Sequence, residues 1–176
     1  MDGRFLIGAS AITRDETFRA IAAASGEPIA PDFSIAGPAD VAAACQLADA
    51  ALDSFRELAP GVRARFLEAI ASEIEAFGDK LIDRAMVETG LPQARLVGER
   101  GRTCGQRRMF AELLREGNWA GVVVEHALPE RHPLPRPDLR QRRIAMGPFA
   151  IFGASNFPLA CSVAGGDTAS ALAAGS

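Results

Sequence analysis

Apolar residues recur every three or four positions through much of the chain, which is the spacing of amphipathic helices. The pattern predicts helices at residues 38–59, 62–78, 79–89 and 92–116. Proline stands near the start of the first and last, and glycine closes the second, as helix boundaries favour. The stripes of the first two helices are Val41, Ala44, Cys45, Ala48, Leu52 and Phe55, and Val62, Phe66, Ile70, Ile74 and Phe77.

Three glycines interrupt the longest predicted helix, at Gly98, Gly101 and Gly105. A glycine inside a helix costs about 1 kcal/mol relative to alanine. Their repeat at three and four residues therefore predicts that another helix or backbone segment approaches closely on that side.

Outside these helices the pattern changes to short extended segments. Apolar runs at residues 4–8 and 17–23 predict a small antiparallel pair. Residues 121–146 contain three consecutive valines and then a proline-rich passage, which predicts two strands joined by a stiff turn. The apolar run 149–152 is typical of a buried strand in a parallel sheet, and it predicts an α/β fold with a helix beginning at Pro158.

Composition narrows the classes of function. The 176 residues are 48% apolar, enough for a core, and the formal charge of −3 gives no support to nucleic-acid binding. No window approaches the roughly 20 apolar residues of a membrane span. Cysteines and histidines stand apart, which indicates neither a metal site nor a disulfide framework, and a reducing cytoplasm is the expected setting. We expect Cys45, Cys104 and Cys161 to be packed core residues and His126 and His132 to lie on the surface.

Asn156 is the strongest candidate for chemistry. It lies just past the predicted strand 149–152, where open α/β sheets place ligands. A side-chain amide there can donate a hydrogen bond to a developing oxyanion, a contact worth about 3–4 kcal/mol in well-studied enzymes. Judged without further context, an asparagine before a helix is more often a cap or turn residue. Asp167, before an alanine-rich segment, is most simply a helix N-cap.

Several longer sequence motifs resemble those of a known family. They are Asn156-Phe157-Pro158, Glu88-Thr89-Gly90-Leu91-Pro92-Gln93-Ala94-Arg95-Leu96, Gly98-Glu99-Arg100-Gly101-Arg102-Thr103 and Pro133-Leu134-Pro135-Arg136-Pro137-Asp138-Leu139-Arg140. Through them the chain resembles the N-terminal part of the aldehyde dehydrogenase superfamily, and within it the branch that acts on α-ketoglutarate semialdehyde. The resemblance covers essentially the whole chain.

The resemblance implies roles for named residues. Asn156 would supply the oxyanion-hole amide, and Phe157 and Phe110 would line the substrate tunnel. NAD or NADP would pass along Phe152, Gly153, Ala154 and Ser155. Arg102 would offer a guanidinium to the substrate carboxylate, since a bidentate fork recognises such a group well. The alternative for the cluster Arg100, Arg102, Arg107 and Arg108 is a solvated face paired with Glu99 and Glu112.

The resemblance also implies an organisation and a reaction. Residues 1–120 would form N-terminal strands and helices of the cofactor domain, 121–146 an arm that joins a homo-oligomer, and 147–176 the start of a Rossmann-like unit. The family oxidises a small aldehyde through a cysteine thiohemiacetal, with no metal. Its catalytic cysteine and glutamate lie downstream of the matched region, so we expect the 176-residue chain alone to be inactive. A truncated non-catalytic paralogue that serves as a partner subunit, and a dehydrogenase of broad range, are the alternatives.

Overall fold

Five α-helices and six short strands make up the structure, a computed structural model that describes residues 1–176. The helices are α1 (Pro38–Arg56), α2 (Pro60–Ala76), α3 (Asp79–Thr89), α4 (Gln93–Glu116) and α5 (Gly166–Ala174). The strands are β1 (Phe5–Ile7), β2 (Ser10–Ile12), β3 (Thr17–Ile21), β4 (Pro28–Ser34), β5 (Val123–Glu125) and β6 (Leu139–Gln141). The four helices predicted before residue 117 are confirmed. Their ends follow local signals, such as Gly90 and Gly117, which close α3 and α4 in the left-handed conformation.

The core lies where α2, α4 and α5 meet. One cluster joins these three helices, and its members are Ala64, Leu67, Ala111, Leu114 and Ala173. A second cluster joins α3 to α4 through Ile82, Ala85 and Leu96. Alanine supplies more than half of the first cluster, so the helix backbones can approach closely. The helix α4 is therefore the central element, in contact with α2, α3 and α5.

Two predictions about these helices are wrong. Nothing lies within 4 Å of a Cβ built at Gly98, Gly101 or Gly105, so no other helix or backbone segment packs closely against the glycines of α4. They lie on its exposed side, while its packed side is made of alanine, leucine and polar residues. The second wrong prediction concerns α2, because its predicted apolar stripe lies beside the buried face of the helix and does not form that face. Phe66 remains 45% exposed, and Ala64, Leu67 and Ala71 are buried instead, because α4 packs on that narrower side.

The strands form three separate antiparallel pairs, β1 with β2, β3 with β4, and β5 with β6. The predicted pairing of residues 4–8 with residues 17–23 is therefore wrong. Each run pairs with the segment that follows it, because a short loop closes at lower entropic cost. Between β1 and β2 the turn has only two residues, and Gly8 adopts a φ of 59°, as a tight hairpin turn requires.

The predicted two-stranded arm at residues 121–146 is present. Val123–Glu125 pairs with Leu139–Gln141, and an isolated bridge joins Leu128 to Arg136 further along the arm. Every residue of β5 and β6 is exposed. The arm therefore contributes nothing to the core.

The predicted parallel strand at residues 149–152 is not formed, and Phe149 and Phe152 are 54% and 86% exposed. A parallel strand takes its hydrogen bonds from neighbouring strands, and none of the six strands lies beside this run. The helix expected from Pro158 begins only at Gly166, after a series of turns. Its N-cap is Gly165, so Asp167 is not the cap but lies in the first turn, where a negative charge favours the helix dipole.

The cysteine prediction holds at one of three positions. Cys104 is buried, whereas Cys45 and Cys161 are exposed, because the helix face that carries Cys45 is uncovered and Cys161 lies in an outer turn. His126 and His132 are exposed, as predicted. None of the helices is both long enough and apolar enough to cross a membrane.

Candidate functional site

Residues 153–165 fold into a compact series of turns, which we call the Asn156 loop. The N–H of Ala154 donates to the carbonyl of Cys161 at 2.8 Å, and the N–H of Cys161 donates to the carbonyl of Phe157 at 2.9 Å. A Cβ at Gly165 would stand 2.4 Å from the carbonyl oxygen of Ala160, so the loop closes onto α5 only because residue 165 is glycine. The loop thus has a defined conformation although it is neither helix nor strand.

Helix α4 holds this loop through three polar side chains spaced four residues apart. The Arg95 guanidinium donates to the carbonyl of Asn156 at 2.6 Å. A Glu99 oxygen accepts from the N–H groups of Leu159 and Ala160, at 3.0 and 3.3 Å. The Thr103 hydroxyl donates to the carbonyl of Leu159 at 2.9 Å. Residues four apart share one face of a helix, so the whole row faces the loop.

Glu99 is a buried carboxylate, with only 6% of its surface exposed. Burial alone would raise its pKa, but hydrogen bonds from the Leu159 N–H, the Arg95 side chain and the Ala160 N–H outweigh burial and lower the pKa below the ordinary 4.5. The Arg95 Nε lies 3.1 Å from the other Glu99 oxygen, and the guanidinium stands over the Phe157 ring at 5.1 Å. Glu99 is therefore ionised at neutral pH.

The Asn156 side chain contrasts with its backbone. Its carbonyl is bound by Arg95, whereas its side-chain amide is exposed and makes no hydrogen bond within the chain. An amide held on a fixed backbone with free donors can bind a ligand oxygen without first breaking an internal contact. This arrangement suits stabilisation of a developing negative charge.

Sequence comparison decides the family. The family described as "Aldehyde dehydrogenase family" matches residues 11–176.

The chain belongs to the aldehyde dehydrogenase family.

Two curated relatives are close in sequence to this aldehyde dehydrogenase chain. It is 56% identical to alpha-ketoglutaric semialdehyde dehydrogenase 2 of Azospirillum brasilense, over 99% of this chain and 34% of that protein. It is 49% identical to alpha-ketoglutaric semialdehyde dehydrogenase of Acinetobacter baylyi, over 98% of this chain and 33% of that protein. The chain thus spans about a third of the length of these relatives.

Solved structures show the same fold at lower identity. A crystal structure described as an E. coli NADP dependent enzyme superposes with a TM-score of 0.83 at 23% identity, over 98% of this chain and 34% of that one. A NAD-dependent benzaldehyde dehydrogenase from Corynebacterium glutamicum gives 0.81 at 21% identity, over 99% and 36%. The predicted α/β class, as the N-terminal part of the aldehyde dehydrogenase fold, is confirmed.

Most of the residues that the family resemblance links to the cofactor and substrate lie in or beside the Asn156 loop. Phe152 and Ser155 are exposed, and Ala154 is tied to Cys161. The N–H groups of Gly153 and Ser155 have no hydrogen-bond partner within the chain. Phe157 packs under Arg95 and keeps 43% of its surface exposed. These residues are contiguous along the chain, so the structure brings them together locally.

Two further predicted residues lie elsewhere on α4. Arg102 is exposed and forms no ion pair. Phe110 is half-buried against the cluster of α2, α4 and α5, which also contains Trp119 and Leu172 at its edge. It stands 11 residues beyond Glu99, which corresponds to about 16 Å along a helix. The structure therefore does not place Phe110 beside Asn156.

The ion pairs expected for the arginine cluster are wrong. Glu99 binds Arg95, and Glu112 is exposed without an ion pair. Arg108 instead forms a bidentate pair with Glu75 of α2, 2.7 Å at each contact. Arg107 is buried and donates to the carbonyl of Ala164. Arg107 and Arg108 thus contact groups on other elements and not the carboxylates of their own helix. Spacing along one helix does not reveal such partners.

Neither cysteine near this region has the surroundings of an activated nucleophile. Burial raises the pKa of the Cys104 thiol, and its sulfur faces the carbonyl of Ala71 at 3.5 Å. Cys161 is exposed, and no ion pair or side-chain hydrogen bond engages it. The sequence alone does not single out the row Arg95, Glu99 and Thr103 as functional, although its four-residue spacing is visible there.

Proposed function

We propose that this chain supplies the N-terminal part of an NAD(P)-dependent dehydrogenase that oxidises α-ketoglutarate semialdehyde to α-ketoglutarate. The observation that carries the proposal is the free side-chain amide of Asn156 on a backbone fixed by α4. In the reaction that the family resemblance implies, a cysteine thiolate attacks the aldehyde carbon and the carbonyl oxygen becomes an oxyanion. The Asn156 amide would donate a hydrogen bond to that oxygen and lower the barrier to attack.

The nicotinamide cofactor would lie along Phe152, Gly153, Ala154 and Ser155. The open N–H groups of Gly153 and Ser155 and the exposed Phe152 ring fit such a ligand, since peptide donors suit polar groups and the ring suits a flat one. When bound, NAD or NADP accepts the hydride that leaves the thiohemiacetal. A water activated by a glutamate then releases the acid.

The substrate assignment draws on the two curated relatives, which carry the semialdehyde in their names. In this chain the exposed guanidinium of Arg102 is free to bind the carboxylate of a small dioxo acid. Phe157 would contact its carbon chain, and Phe110, further along α4, would line a more distant part of the tunnel. A substrate with a carboxylate and an aldehyde needs one polar anchor at each end, which Arg102 and Asn156 would provide.

The remaining parts of the proposal concern organisation. Residues 1–120 and 147–176 would belong to the cofactor domain, and the arm 121–146 would join a homo-oligomer. The exposed valines of the arm, Val123 and Val124, are each 47% exposed and suit addition to a partner's sheet. A reducing cytoplasmic setting is consistent with three free cysteines.

The decisive experiment uses a chimera in which residues 1–176 replace the matching third of the Azospirillum brasilense relative. Asn156→Ala should lower kcat about 100-fold to 1000-fold, with the KM for NAD(P) little changed. Val163→Ala is the matched control, because Val163 lies in the same loop and its side chain is 64% exposed. Unchanged turnover in Asn156→Ala would refute the oxyanion role.

Two alternatives have their own outcomes. Equal kcat/KM for α-ketoglutarate semialdehyde and for benzaldehyde would favour a dehydrogenase of broad range. The uncovered faces of α1 and of the arm favour a non-catalytic partner subunit as a second candidate. That candidate predicts that the 176-residue chain binds a full-length dehydrogenase and alters its activity, which titration in an assay of that enzyme would detect.

A further inference from the structure

The row Arg95, Glu99 and Thr103 grips the Asn156 loop on both sides of the proline. Arg95 binds the carbonyl of Asn156 itself, two residues before Pro158, and Glu99 binds the two N–H groups that follow Pro158. Proline has no N–H, so the backbone at residue 158 cannot donate a hydrogen bond. The helix supplies contacts on either side of it.

Glu99 has no substitute in this arrangement. The N–H groups of Leu159 and Ala160 have no other acceptor, and both rest on a single Glu99 oxygen. A carboxylate with 6% exposure is costly to bury unless each of its oxygens is satisfied. Here one oxygen binds the loop and the other binds Arg95. An apolar side chain at 99 would fill the same space and leave both N–H donors unpaired.

Arg95 links the buried carboxylate to the candidate catalytic residue. Its guanidinium meets Glu99 through Nε and the Asn156 carbonyl through Nη2, and it stands over the Phe157 ring at 5.1 Å. A guanidinium is planar and presents its donors in a rigid fork, so these contacts in different directions fix its position. The carbonyl of Asn156 is thereby held, and with it the direction in which the Asn156 side chain leaves the backbone.

We propose that Arg95 and Glu99 are positioning residues, which orient the Asn156 amide toward the reacting oxygen. This inference rests on the proposed oxyanion role of Asn156. An oxyanion donor acts only when it lies about 2.7–3.1 Å from the developing charge. A displacement of about 1 Å can cost on the order of 100-fold in rate. The row therefore affects kcat although none of its members touches the substrate.

The test in the chimera is a double-mutant cycle between Glu99→Gln and Asn156→Ala. Glutamine keeps the size of the side chain but cannot serve both the loop N–H groups and Arg95. We expect Glu99→Gln to lower kcat about 10-fold to 100-fold, with the KM for NAD(P) within about twofold. Glu112→Gln is the control, since Glu112 lies on the same helix, exposed and without an ion pair.

The double-mutant cycle distinguishes a positioning role of Glu99 from a general loss of structure. If Glu99 acts through Asn156, the double variant is no slower than Asn156→Ala alone. If the losses in kcat of the two single variants multiply in the double variant, the positioning role is overturned. A Glu99→Gln variant with normal kcat would also overturn it. If Asn156→Ala itself leaves kcat normal, the oxyanion proposal fails, and the cycle shows this independently.

A second readout needs no catalysis. In the 176-residue chain, amide hydrogen exchange at Leu159 and Ala160 should quicken at least tenfold in Glu99→Leu, which removes the acceptor oxygen, while exchange at Leu67 in the core stays unchanged. Arg95→Lys should keep the charge but lose the fork, and it should quicken the same two amides less. Unchanged exchange at both amides in Glu99→Leu would show that Glu99 does not hold the loop.

Discussion

Helices α1 and α2 are similar in sequence pattern and opposite in burial. Both begin at a proline and carry an apolar stripe at helical spacing. In α2, Ala64, Leu67 and Ala71 are buried against α4, whereas the only buried residue of α1 is the acidic Asp40. Helical periodicity thus predicts an element and its apolar side, but the burial of that side depends on what the rest of the chain brings to it.

Polar contacts at its start take the place of a core in holding α1. The Asp40 carboxylate accepts from the Gly37 N–H at 3.0 Å and from the Arg14 Nε at 3.1 Å. The hydrogen bond from Arg14, and then that from Gly37, lower the pKa of Asp40. A negative group in the first turn also favours the helix dipole. The start of α1 is therefore fixed, while most of its apolar stripe is exposed and only Leu52 and Phe55 at its end are half-buried.

The strongest way to break the comparison is to truncate one leucine in each helix. Leu67→Ala in α2 should lower the free energy of unfolding by about 2–5 kcal/mol, because a side chain that is 1% exposed leaves a cavity. Leu47→Ala in α1 should lower it by no more than about 1 kcal/mol, because that side chain is already 47% exposed and loses less buried apolar area. Urea unfolding followed by circular dichroism measures both.

The pair of leucine variants makes each helix the control for the other. Alanine has the higher helix propensity, so a loss at Leu67 cannot come from weakened helix formation. Equal losses at the two positions would mean that α1 is covered in solution, and the contrast drawn between the helices would be wrong.

Local signals account for what the sequence predicted well. Helix boundaries followed proline and glycine, which act within one turn, and the arm at 121–146 followed its valines and prolines. The strand at 149–152 failed because a parallel strand needs a neighbour that pattern alone cannot supply. The apolar neighbours of Cys161 predict a core position, yet it is exposed in a turn whose direction depends on long-range contacts.

The candidate site likewise contains one residue that the sequence indicates and others that only the structure reveals. The short motif Asn156-Phe157-Pro158 is enough to indicate Asn156, because the functional side chain and its neighbours are contiguous in the sequence. The residues that hold it, Arg95 and Glu99, lie about 60 positions away and became visible only once α4 met the loop. Spacing along α4 marked them as one face, but nothing local said what that face would touch.

Two glycines sharpen the contrast between packed and open backbone. Gly165→Ala should lower the free energy of unfolding by about 1–3 kcal/mol, because its Cβ would stand 2.4 Å from the Ala160 carbonyl oxygen. Gly98→Ala should raise it by up to about 1 kcal/mol, because α4 gains helix propensity and the site is open. Opposite shifts in the urea midpoint are the expected result; two shifts of the same sign would contradict the assigned environments.

The smallest expected effect is the pH dependence of the unfolding free energy, compared between the chain with Glu99 and the Glu99→Gln variant. The folded pKa of Glu99 lies below the ordinary 4.5, so the folded chain binds the proton less readily than the unfolded chain. The stabilisation by this carboxylate is then complete at pH values above 4.5 and declines as the pH falls through the folded pKa. The difference in unfolding free energy between the two chains should be about 1 kcal/mol at neutral pH and should narrow in acid. Urea titrations of both chains from neutral pH into acid measure that difference. A gap that stayed constant, or widened in acid, would mean that the hydrogen bonds from Leu159, Arg95 and Ala160 do not prevail over burial.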